Sequence, residues 1–334
     1  MDLFPQLGLL FSLTLFFSFS FWVGRAMDCS GNGITKTIIV DQSGKGNFKL
    51  IQDAIDSIKE NNDQWVKVHI KAGTYREKVN ISKYKPCVFL EGEGKDVTTI
   101  TYGEYVNQKT WDNATFVSSP PNVIVVGITF ENTYRNSEVS KFTEAPAAAI
   151  FGDKTAFYKS GFIGFQDTLL DSNGRHYFKY CYIQGEVDFI FGNGQSYYEE
   201  CLINATQGKS PPGFITAQAR GLENDTSGFV FRKGIVFGDG QVKLGRAYGP
   251  YSTVIYHGTY FSEVVSPEGW DPWNRIGHES QLTYAEVDCI GPGSNTTNRV
   301  KWRKTLTSED LRKFSLSQFV NQDGWLSKLP ITIM

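Results

Sequence analysis

The chain has 334 residues, a formal net charge of −2, 40% hydrophobic residues and 20% charged residues. This is the composition of a folded globular protein, and it excludes the strongly basic surface that holds nucleic acid, so we expect no nucleic-acid partner. Aromatic residues make up 14% of the chain and there are 33 glycines, a combination typical of many short strands joined by tight turns.

The N-terminal segment is apolar. Residues 9–23 are almost without polar interruption, and the small residues Gly24 and Ala26 follow. The pattern predicts a signal peptide over residues 1–26 and a mature domain over residues 27–334. Because the preceding segment carries Asp2 and no Lys or Arg, a signal anchor is the alternative. We expect secretion, with no membrane association after cleavage. Five glycosylation sequons agree with secretion: Asn80, Asn113, Asn204, Asn224 and Asn295.

Short strands dominate the chain after this leader, from a first strand at residues 38–40. Apolar residues at helical spacing then predict a short amphipathic helix: Phe48, Ile51, Ile55 and Ile58. Further strands are predicted at residues 66–70, 88–90, 123–130, 157–163 and 177–183. Near the C-terminus, Thr307 and Asp310 begin a capped helix, which we expect to pack against the strands or to cover one end of them.

A short pattern occurs twice and ends each time in aspartate. Residues 160–167 match residues 181–188 position by position, so that Asp167 and Asp188 are 21 residues apart. A third copy follows at an offset of 20, with Gly208 in the place of the aspartate. A fixed period near 20 indicates stacked coils. It favours an all-β, parallel β-helix over a sandwich or barrel, which does not require aligned positions in every coil.

The two aspartates then become neighbours on adjacent coils. Equivalent residues on parallel strands lie about 4.8 Å apart, and carboxylates that close have pKa values pushed apart. One protonated acid beside one anion suits a hydrolase of esters or glycosides. The structural alternative is a pair of turn carboxylates that cap backbone N–H groups. Arg246, between Gly245 and Ala247, could hold one carboxylate ionised or form an ordinary surface salt bridge.

The cysteines leave two interpretations open. Cys181 and Cys201 are equivalent positions of neighbouring coils, so they are either a disulfide or two small apolar residues stacked in a core. We find no CxxC or His-rich motif in the sequence, and predict no metal site.

At this point the chain resembles the plant pectin methylesterases. Two of the segments that carry the resemblance are Gly164-Phe-Gln-Asp-Thr-Leu169 and Asp188-Phe-Ile-Phe-Gly-Asn193. The others are residues 73–77, 128–132, 152–158, 175–178, 244–246 and 268–271. They follow the family's order over roughly residues 35 to 330. The resemblance implies a single-stranded right-handed parallel β-helix, hydrolysis of methyl esters of homogalacturonan in the cell wall, and no cofactor.

The resemblance also implies roles for individual residues. Asp188 looks like the nucleophile, Asp167 like the general acid/base, Gln166 like a donor to the developing oxyanion, and Arg246 like the residue that orients and ionises Asp188. The expected substrate contacts are Thr115, Glu144, Phe189, Arg246, Tyr248 and Trp270, with Trp273 as a further aromatic residue that could line a sugar cleft.

Two positions depart from the family pattern. Glu144 stands where the family commonly has Gln, and a carboxylate there would repel a forming oxyanion. Tyr248 stands where a Trp often lines the sugar subsite, and it offers a smaller stacking surface. The first departure predicts a lower rate and the second altered binding.

We consider three functions. The leading one is a secreted pectin methylesterase without the N-terminal inhibitor-like region of many family members. Because of Glu144, the alternative is a pectin-binding wall protein with weak or no esterase activity. Another pectin-acting β-helix, a lyase or polygalacturonase, is disfavoured because its catalytic residues are not recognisable in the sequence. We expect a monomer that binds pectin and a proteinaceous pectinesterase inhibitor.

Overall fold

The computed structural model describes residues 28–105, 111–135, 143–206, 208 and 212–332. The predicted signal peptide lies outside the described residues. In the described part, twenty-six short strands follow one another along the chain. The first nine are β1 Ile34–Val40, β2 Trp65–Ile70, β3 Gly73–Tyr75, β4 Val79–Ile81, β5 Val88–Gly92, β6 Thr98–Tyr102, β7 Phe116–Ser118, β8 Val123–Val126 and β9 Thr129–Asn132.

The next nine strands contain the repeated pattern and its surroundings. They are β10 Ala148–Ile150, β11 Thr155–Tyr158, β12 Gly161–Ile163, β13 Leu169–Asp171, β14 Arg175–Lys179, β15 Tyr182–Gly185, β16 Val187–Gly192, β17 Gln195–Glu199 and β18 Leu202–Ala205. The last eight are β19 Gly213–Gln218, β20 Gly228–Arg232, β21 Ile235–Gly238, β22 Val242–Ala247, β23 Thr253–His257, β24 Tyr260–Phe261, β25 Trp270–Asp271 and β26 Thr283–Val287.

The strands form three parallel sheets, and each turn of the chain adds one strand to each. Sheet 1 contains β1, β2, β5, β8, β11, β14, β17, β20, β23 and β26. Sheet 2 contains β3, β6, β9, β12, β15, β18, β21 and β24, and sheet 3 contains β4, β7, β10, β13, β16, β19, β22 and β25. This is the predicted all-β, right-handed parallel β-helix, whose hand is the usual one for parallel crossovers.

Short helices lie near the N- and C-terminal ends of the described chain, as predicted. They are α1 Ile51–Asp56, α2 Ser308–Lys313 and α3 Leu316–Phe319, and 3₁₀ turns occupy Trp111–Asn113, Trp273–Arg275, Glu279–Gln281, Pro292–Ser294 and Trp325–Lys328. The predicted cap of α2 is present: the Thr307 hydroxyl accepts from the Asp310 N–H, and the Asp310 carboxylate accepts from the Thr307 N–H. Such reciprocal bonds satisfy two N–H groups that the helix leaves without partners.

The corners between sheets 1 and 2 divide the strands that the sequence predicted as continuous. The stretches 123–130, 157–163 and 177–183 each break in two, at Gly127, Lys159 and Tyr180, whose φ angles are 65°, 50° and 55°. This left-handed conformation ends a strand. Because two of the three residues carry a side chain, glycine did not mark these corners in the sequence.

Aromatic rings stack along the interior from coil to coil. Phe157 lies 5.1 Å from Phe178, Phe178 lies 4.5 Å from Tyr198, and Tyr198 lies 4.6 Å from Phe231, measured between ring centroids. All four rings are buried, and full burial of a side chain of this size contributes about 1.5–3 kcal/mol.

The C-terminal segment packs along the outside of sheet 1, not over an end of the β-helix. Phe319, Val320, Trp325, Leu326 and Leu329 form one buried cluster with outward side chains of the sheet, namely Phe89, Ile124, Ala156, Tyr177, Tyr197, Val230 and Ile255. The face is therefore sealed by apolar contacts.

The disulfide joins a different pair of cysteines from the one considered in the sequence. Cys29 is bonded to Cys87, with their Cα atoms 6.0 Å apart, and this bond ties the segment before β1 to the residue before β5. Cys181 and Cys201 are free and buried, which selects the core interpretation. Within the residues that the structure describes, no helix is long and apolar enough to cross a membrane.

Candidate active site

A cleft with a volume of ≈ 360 Å³ opens on the outer face of sheet 3. Strands β13, β16, β19 and β22 form its floor, through residues such as Leu170, Asp188, Ala217 and Arg246. Its full lining is Trp111, Glu144, Gln166, Asp167, Leu170, Ser172, Asp188, Phe191, Gly192, Asn193, Ala217, Ala219, Arg246, Tyr248 and Trp273. The cleft thus brings together Gln166, Asp167, Asp188 and Arg246, which the sequence singled out.

Asp167 and Asp188 are equivalent residues of adjacent coils. The register of β13 and β16 pairs Leu169 with Ile190, an offset of 21 that also relates the two aspartates. The Asp167 N–H donates to the Val187 carbonyl at 3.0 Å. Both aspartates have positive φ, 59° and 50°, a conformation that is uncommon for residues with a side chain and that recurs at active sites.

Arg246 holds the carboxylate of Asp188. Its Nε donates to Asp188 Oδ1 at 2.8 Å and to Oδ2 at 3.0 Å, and its Nη2 also donates to Oδ2. The guanidinium lies over two rings, 4.2 Å from the centroid of Trp273 and 4.6 Å from that of Phe214. Arg246 lies in strand β22, two coils beyond β16. A planar guanidinium fixed in this way orients the carboxylate.

The two carboxyl groups differ in their electrostatic surroundings. Burial raises the pKa of Asp167 well above its usual value, and the charges of Asp188 and Glu144 add to that rise. Burial also raises the pKa of Asp188, but the hydrogen bonds and charge of Arg246 oppose this rise. Asp167 is therefore the group that keeps a proton while Asp188 ionises, which separates the two roles.

Gln166 and Glu144 line the cleft beside Asp167. Gln166 forms a parallel bridge with Val187, and its side chain lowers the pKa of Asp167, against the rise that burial causes. Its Oε1 is buried with no partner among the described residues. The Gln166 carbonyl accepts from the Ala145 N–H at 3.3 Å, which anchors the exposed Glu144 on the neighbouring coil.

Two exposed aromatic residues form the rim of the cleft. Tyr248 is 55% exposed and Trp273 is 38% exposed, and their ring centroids are 5.3 Å apart. On the opposite part of the lining, Trp111 lies 5.4 Å from Phe191. The sequence did not identify Trp111 as a cleft residue, because it belongs to no repeat, and Phe191 appeared only as part of the segment Asp188-Phe-Ile-Phe-Gly-Asn193.

Three expected substrate contacts are corrected by the structure, since their side chains are in the interior. Phe189 is fully buried, and it approaches so closely that a Cβ on Gly185 would lie 2.2 Å from its own Cβ. Trp270 is 1% exposed and donates from Nε1 to Glu286 at 3.0 Å. Thr115 is fully buried and donates to the Glu131 carbonyl at 3.0 Å. None of these three residues lines the cleft, whereas Asp167 and Asp188, which are also largely buried, do line it.

A second cavity, of ≈ 420 Å³, lies between the N- and C-terminal segments. It contains Lys154, which is paired with Asp28 at 2.5 Å and with Asp323 at 3.4 Å. These ion pairs join the two segments. Among the described residues that line this cavity, Asp28 is the one with a carboxyl group, so the cavity has no pair comparable to Asp167 and Asp188. In the described part of the chain, no group of three or more His, Cys, Asp or Glu residues could hold a metal ion.

Comparison with known proteins agrees with this architecture. The sequence model of the family described as Pectinesterase matches residues 37–323. Probable pectinesterase 55 of Arabidopsis thaliana is 46% identical over 304 residues, covering 89% of this chain and 92% of that protein. Probable pectinesterase 29 of the same plant is 45% identical, with 88% and 90% covered.

Solved structures match most of the chain. The pectin methylesterase from carrot superposes with a TM-score of 0.81 at 30% identity, covering 90% of this chain and 97% of that one. Residues 37–323, which the family model matches, contain the cleft on sheet 3 and strands of all three sheets. The chain therefore belongs to the pectinesterase family.

Proposed function

We propose that this chain is a pectin methylesterase, which hydrolyses the methyl esters of homogalacturonan to free carboxylates and methanol. The observation that carries the proposal is the pair Asp167 and Asp188, adjacent in one cleft and unlike in protonation because only Asp188 is bonded to Arg246. Family membership favours this enzyme over the pectin-binding alternative.

The first step uses Asp188 as the nucleophile. A carboxylate oxygen of Asp188 attacks the carbonyl carbon of the ester, and the carbonyl π electrons move to the oxygen. When the tetrahedral species collapses, the bond to the methoxy oxygen breaks and protonated Asp167 gives its proton to that oxygen. Methanol leaves, and the sugar carboxyl group remains joined to Asp188 as an anhydride.

The second step restores both aspartates. Asp167, now a carboxylate, takes a proton from water while the water oxygen attacks the acyl carbon of the anhydride. The bond to the Asp188 oxygen breaks, Asp188 returns as an anion to Arg246, and Asp167 is again protonated. The free galacturonate carboxyl group then leaves the cleft.

Gln166 is the proposed donor to the oxyanion of both steps. Its backbone bridges to Val187 on the next coil, which places the side chain beside Asp167 in the cleft before the reaction begins. A fixed donor of this kind stabilises the developing charge by about 3 kcal/mol. Tyr248 and Trp273, the exposed rings at the rim, are the proposed stacking surfaces for the polysaccharide.

The proposal is tested by methanol release from methylated pectin, with Asp188→Ala as the variant. Removal of the nucleophile lowers turnover roughly 10⁴-fold or more where the residue acts in a catalytic unit. Asp96→Ala, the same change on an exposed carboxylate outside the cleft, is the matched control and keeps full activity. Wild-type release no faster than that of Asp188→Ala would leave the pectin-binding function. Unsaturated or reducing ends would indicate a lyase or a polygalacturonase.

The compartment and the partners belong to the same proposal. We place the mature protein, residues 27–334, in the cell wall as a secreted monomer that a proteinaceous pectinesterase inhibitor can bind. The apolar leader at residues 9–23 supports secretion. Sequencing of the mature N-terminus from extracellular fluid tests it, with Met27 as the expected first residue. Retention of the full chain in membranes would indicate the signal anchor instead.

A further inference from the structure

We propose that Glu144 makes the cleft discriminate against free galacturonate next to the reacting ester, so that the enzyme prefers densely methylated polymer and repels its own product. This inference rests on the proposed function. It names the property of the substrate that the cleft selects, namely the charge of the units on either side of the ester being cleaved.

The charges that line the cleft do not cancel. The ionisable side chains among its described lining residues, apart from Tyr248, are Glu144, Asp167, Asp188 and Arg246. Arg246 compensates Asp188 through their hydrogen bonds, and Asp167 holds a proton. Glu144 then remains as a net negative charge at the surface of the cleft.

Among the described residues, no ion pair compensates Glu144. Two arginines belong to neighbouring segments, but both are engaged elsewhere and neither lines the cleft. Arg135 lies over the ring of Phe165, at 5.4 Å from its centroid, and Arg275 donates to the Tyr248 carbonyl at 3.3 Å. A substrate unit in the cleft therefore meets the field of Glu144 directly.

Glu144 is also close enough to the reacting groups for its charge to matter. Its backbone neighbour Ala145 is bonded to the Gln166 carbonyl at 3.3 Å, and the Glu144 charge contributes to the high pKa of Asp167. Because the Glu144 charge acts on Asp167, it also repels a substrate carboxylate that is bound beside the reacting ester.

The substrate and the product differ in charge as well as in the methyl group. A methyl galacturonate unit is neutral, whereas each turnover leaves a unit with charge −1. Two like charges about 8 Å apart, at an effective dielectric constant between that of a protein surface and that of water, disfavour binding by about fivefold. The ester experiences no such repulsion, so Glu144 separates the two by charge.

The experiment compares methanol release from a highly methylated and a half-methylated homogalacturonan at low ionic strength. The wild type is measured beside Glu144→Gln, which removes the charge, and Glu144→Asp, which keeps it. Glu60→Gln removes the same charge from an exposed turn outside the cleft. The measured quantity is the ratio of kcat/KM on the two substrates. Any general change in oxyanion stabilisation or in Asp167 ionisation cancels in this ratio.

We expect the preference for the highly methylated substrate to fall about fivefold in Glu144→Gln and to persist in Glu144→Asp and Glu60→Gln. High salt should remove most of the difference, because screening shortens the reach of the charge. Inhibition by fully de-esterified polygalacturonate should become stronger in Glu144→Gln alone. An active wild type whose ratio is unchanged in Glu144→Gln overturns the inference.

Failure of the proposed function gives a different result. If the wild type releases no methanol, the esterase proposal is wrong. Calorimetric binding of methylated and de-esterified oligomers then still decides the role of Glu144. Equal relative affinities in the wild type and in Glu144→Gln contradict that role, and a shift toward the de-esterified oligomer supports it.

Discussion

Two outer faces of the same β-helix differ in that one is covered by another segment of the chain and the other is open to solvent. The outer face of sheet 1 carries large apolar side chains and is covered by the C-terminal segment, in which Trp325 and Leu326 are each 2% exposed. The outer face of sheet 3 carries the cleft, with three carboxyl groups, an arginine and exposed aromatic rings. Both faces are built from the same coils and the same parallel register.

The difference shows how the β-helix separates stability from chemistry. Burial of apolar area on sheet 1 stabilises the fold, whereas burial of carboxyl groups on sheet 3 raises their pKa and opposes ionisation. Substitutions on the two faces should therefore have separable effects. On sheet 3 they change turnover and leave unfolding unaltered, and on sheet 1 they do the reverse.

The largest expected effect is the loss of turnover in Asp167→Asn. The amide has the shape of the protonated acid but cannot donate a proton to the methoxy oxygen or accept one from water, so methanol release should fall about 10²–10⁴-fold. The free energy of unfolding should not decrease, because Asn tolerates the positive φ of this position and lacks a buried ionisable group. Turnover within tenfold of the wild type, or a clearly lowered melting temperature, would contradict the claim that substitutions on sheet 3 change turnover without changing stability.

On the covered face, Trp325→Ala should destabilise the fold and spare the chemistry. Trp325 is buried and donates from Nε1 to the Val320 carbonyl at 2.7 Å, and truncation of such a residue costs about 3–5 kcal/mol. Denaturant unfolding measures the loss, and kcat for methanol release at a temperature well below unfolding should match the wild type. Leu222→Ala, a large-to-small change at a residue that is 66% exposed, is the control with little loss. A stable Trp325→Ala protein would show that the C-terminal segment does not seal sheet 1.

Periodicity in the sequence was sufficient to predict the coils and the paired aspartates. The offset of 21 between Asp167 and Asp188 is the register of β13 on β16. Each repeat also contains a glycine for a physical reason, since a Cβ on Gly164 would lie 2.7 Å from the Thr168 hydroxyl and one on Gly185 would overlap Phe189. These constraints are local, and they are visible as a repeat.

Periodicity did not predict which aromatic residues face outward. Strand residues normally alternate between the two faces, but the left-handed Asp188 and the register shift between Val187 and Ile190 interrupt the alternation. Phe189 therefore faces the core and Phe191 the cleft. Trp270 and Trp273 are likewise separated by the end of β25 and a 3₁₀ turn, so that Trp270 is inside and Trp273 at the rim.

Contacts between distant segments also could not be predicted from the sequence. Cys29 and Cys87 are 58 residues apart, and no spacing rule relates them, whereas the repeat drew attention to Cys181 and Cys201. The capping box of α2 was recognisable, but the face that the following residues cover depends on the outward side chains of at least seven different strands. Those side chains form a surface only after the coils have stacked.

The smallest expected effect is a change in the pH profile of methanol release. It tests the protonation states assigned to Asp167 and Asp188 in the cleft on sheet 3. Asp188 must be ionised, so activity should fall as the pH drops through its apparent pKa. Asp167 must be protonated for the first step, so activity should fall again as the pH rises through its raised pKa.

Removal of the Glu144 charge lowers the pKa of Asp167, because that charge is one of its causes. In Glu144→Gln the alkaline limb of kcat/KM for methanol release should therefore move to lower pH, while the acid limb stays in place. Glu144→Asp should keep the wild-type limb, since it keeps the charge. An alkaline limb that moves equally in both variants would assign the shift to packing and not to charge, and a limb that moves to higher pH would contradict the proton-donor role of Asp167.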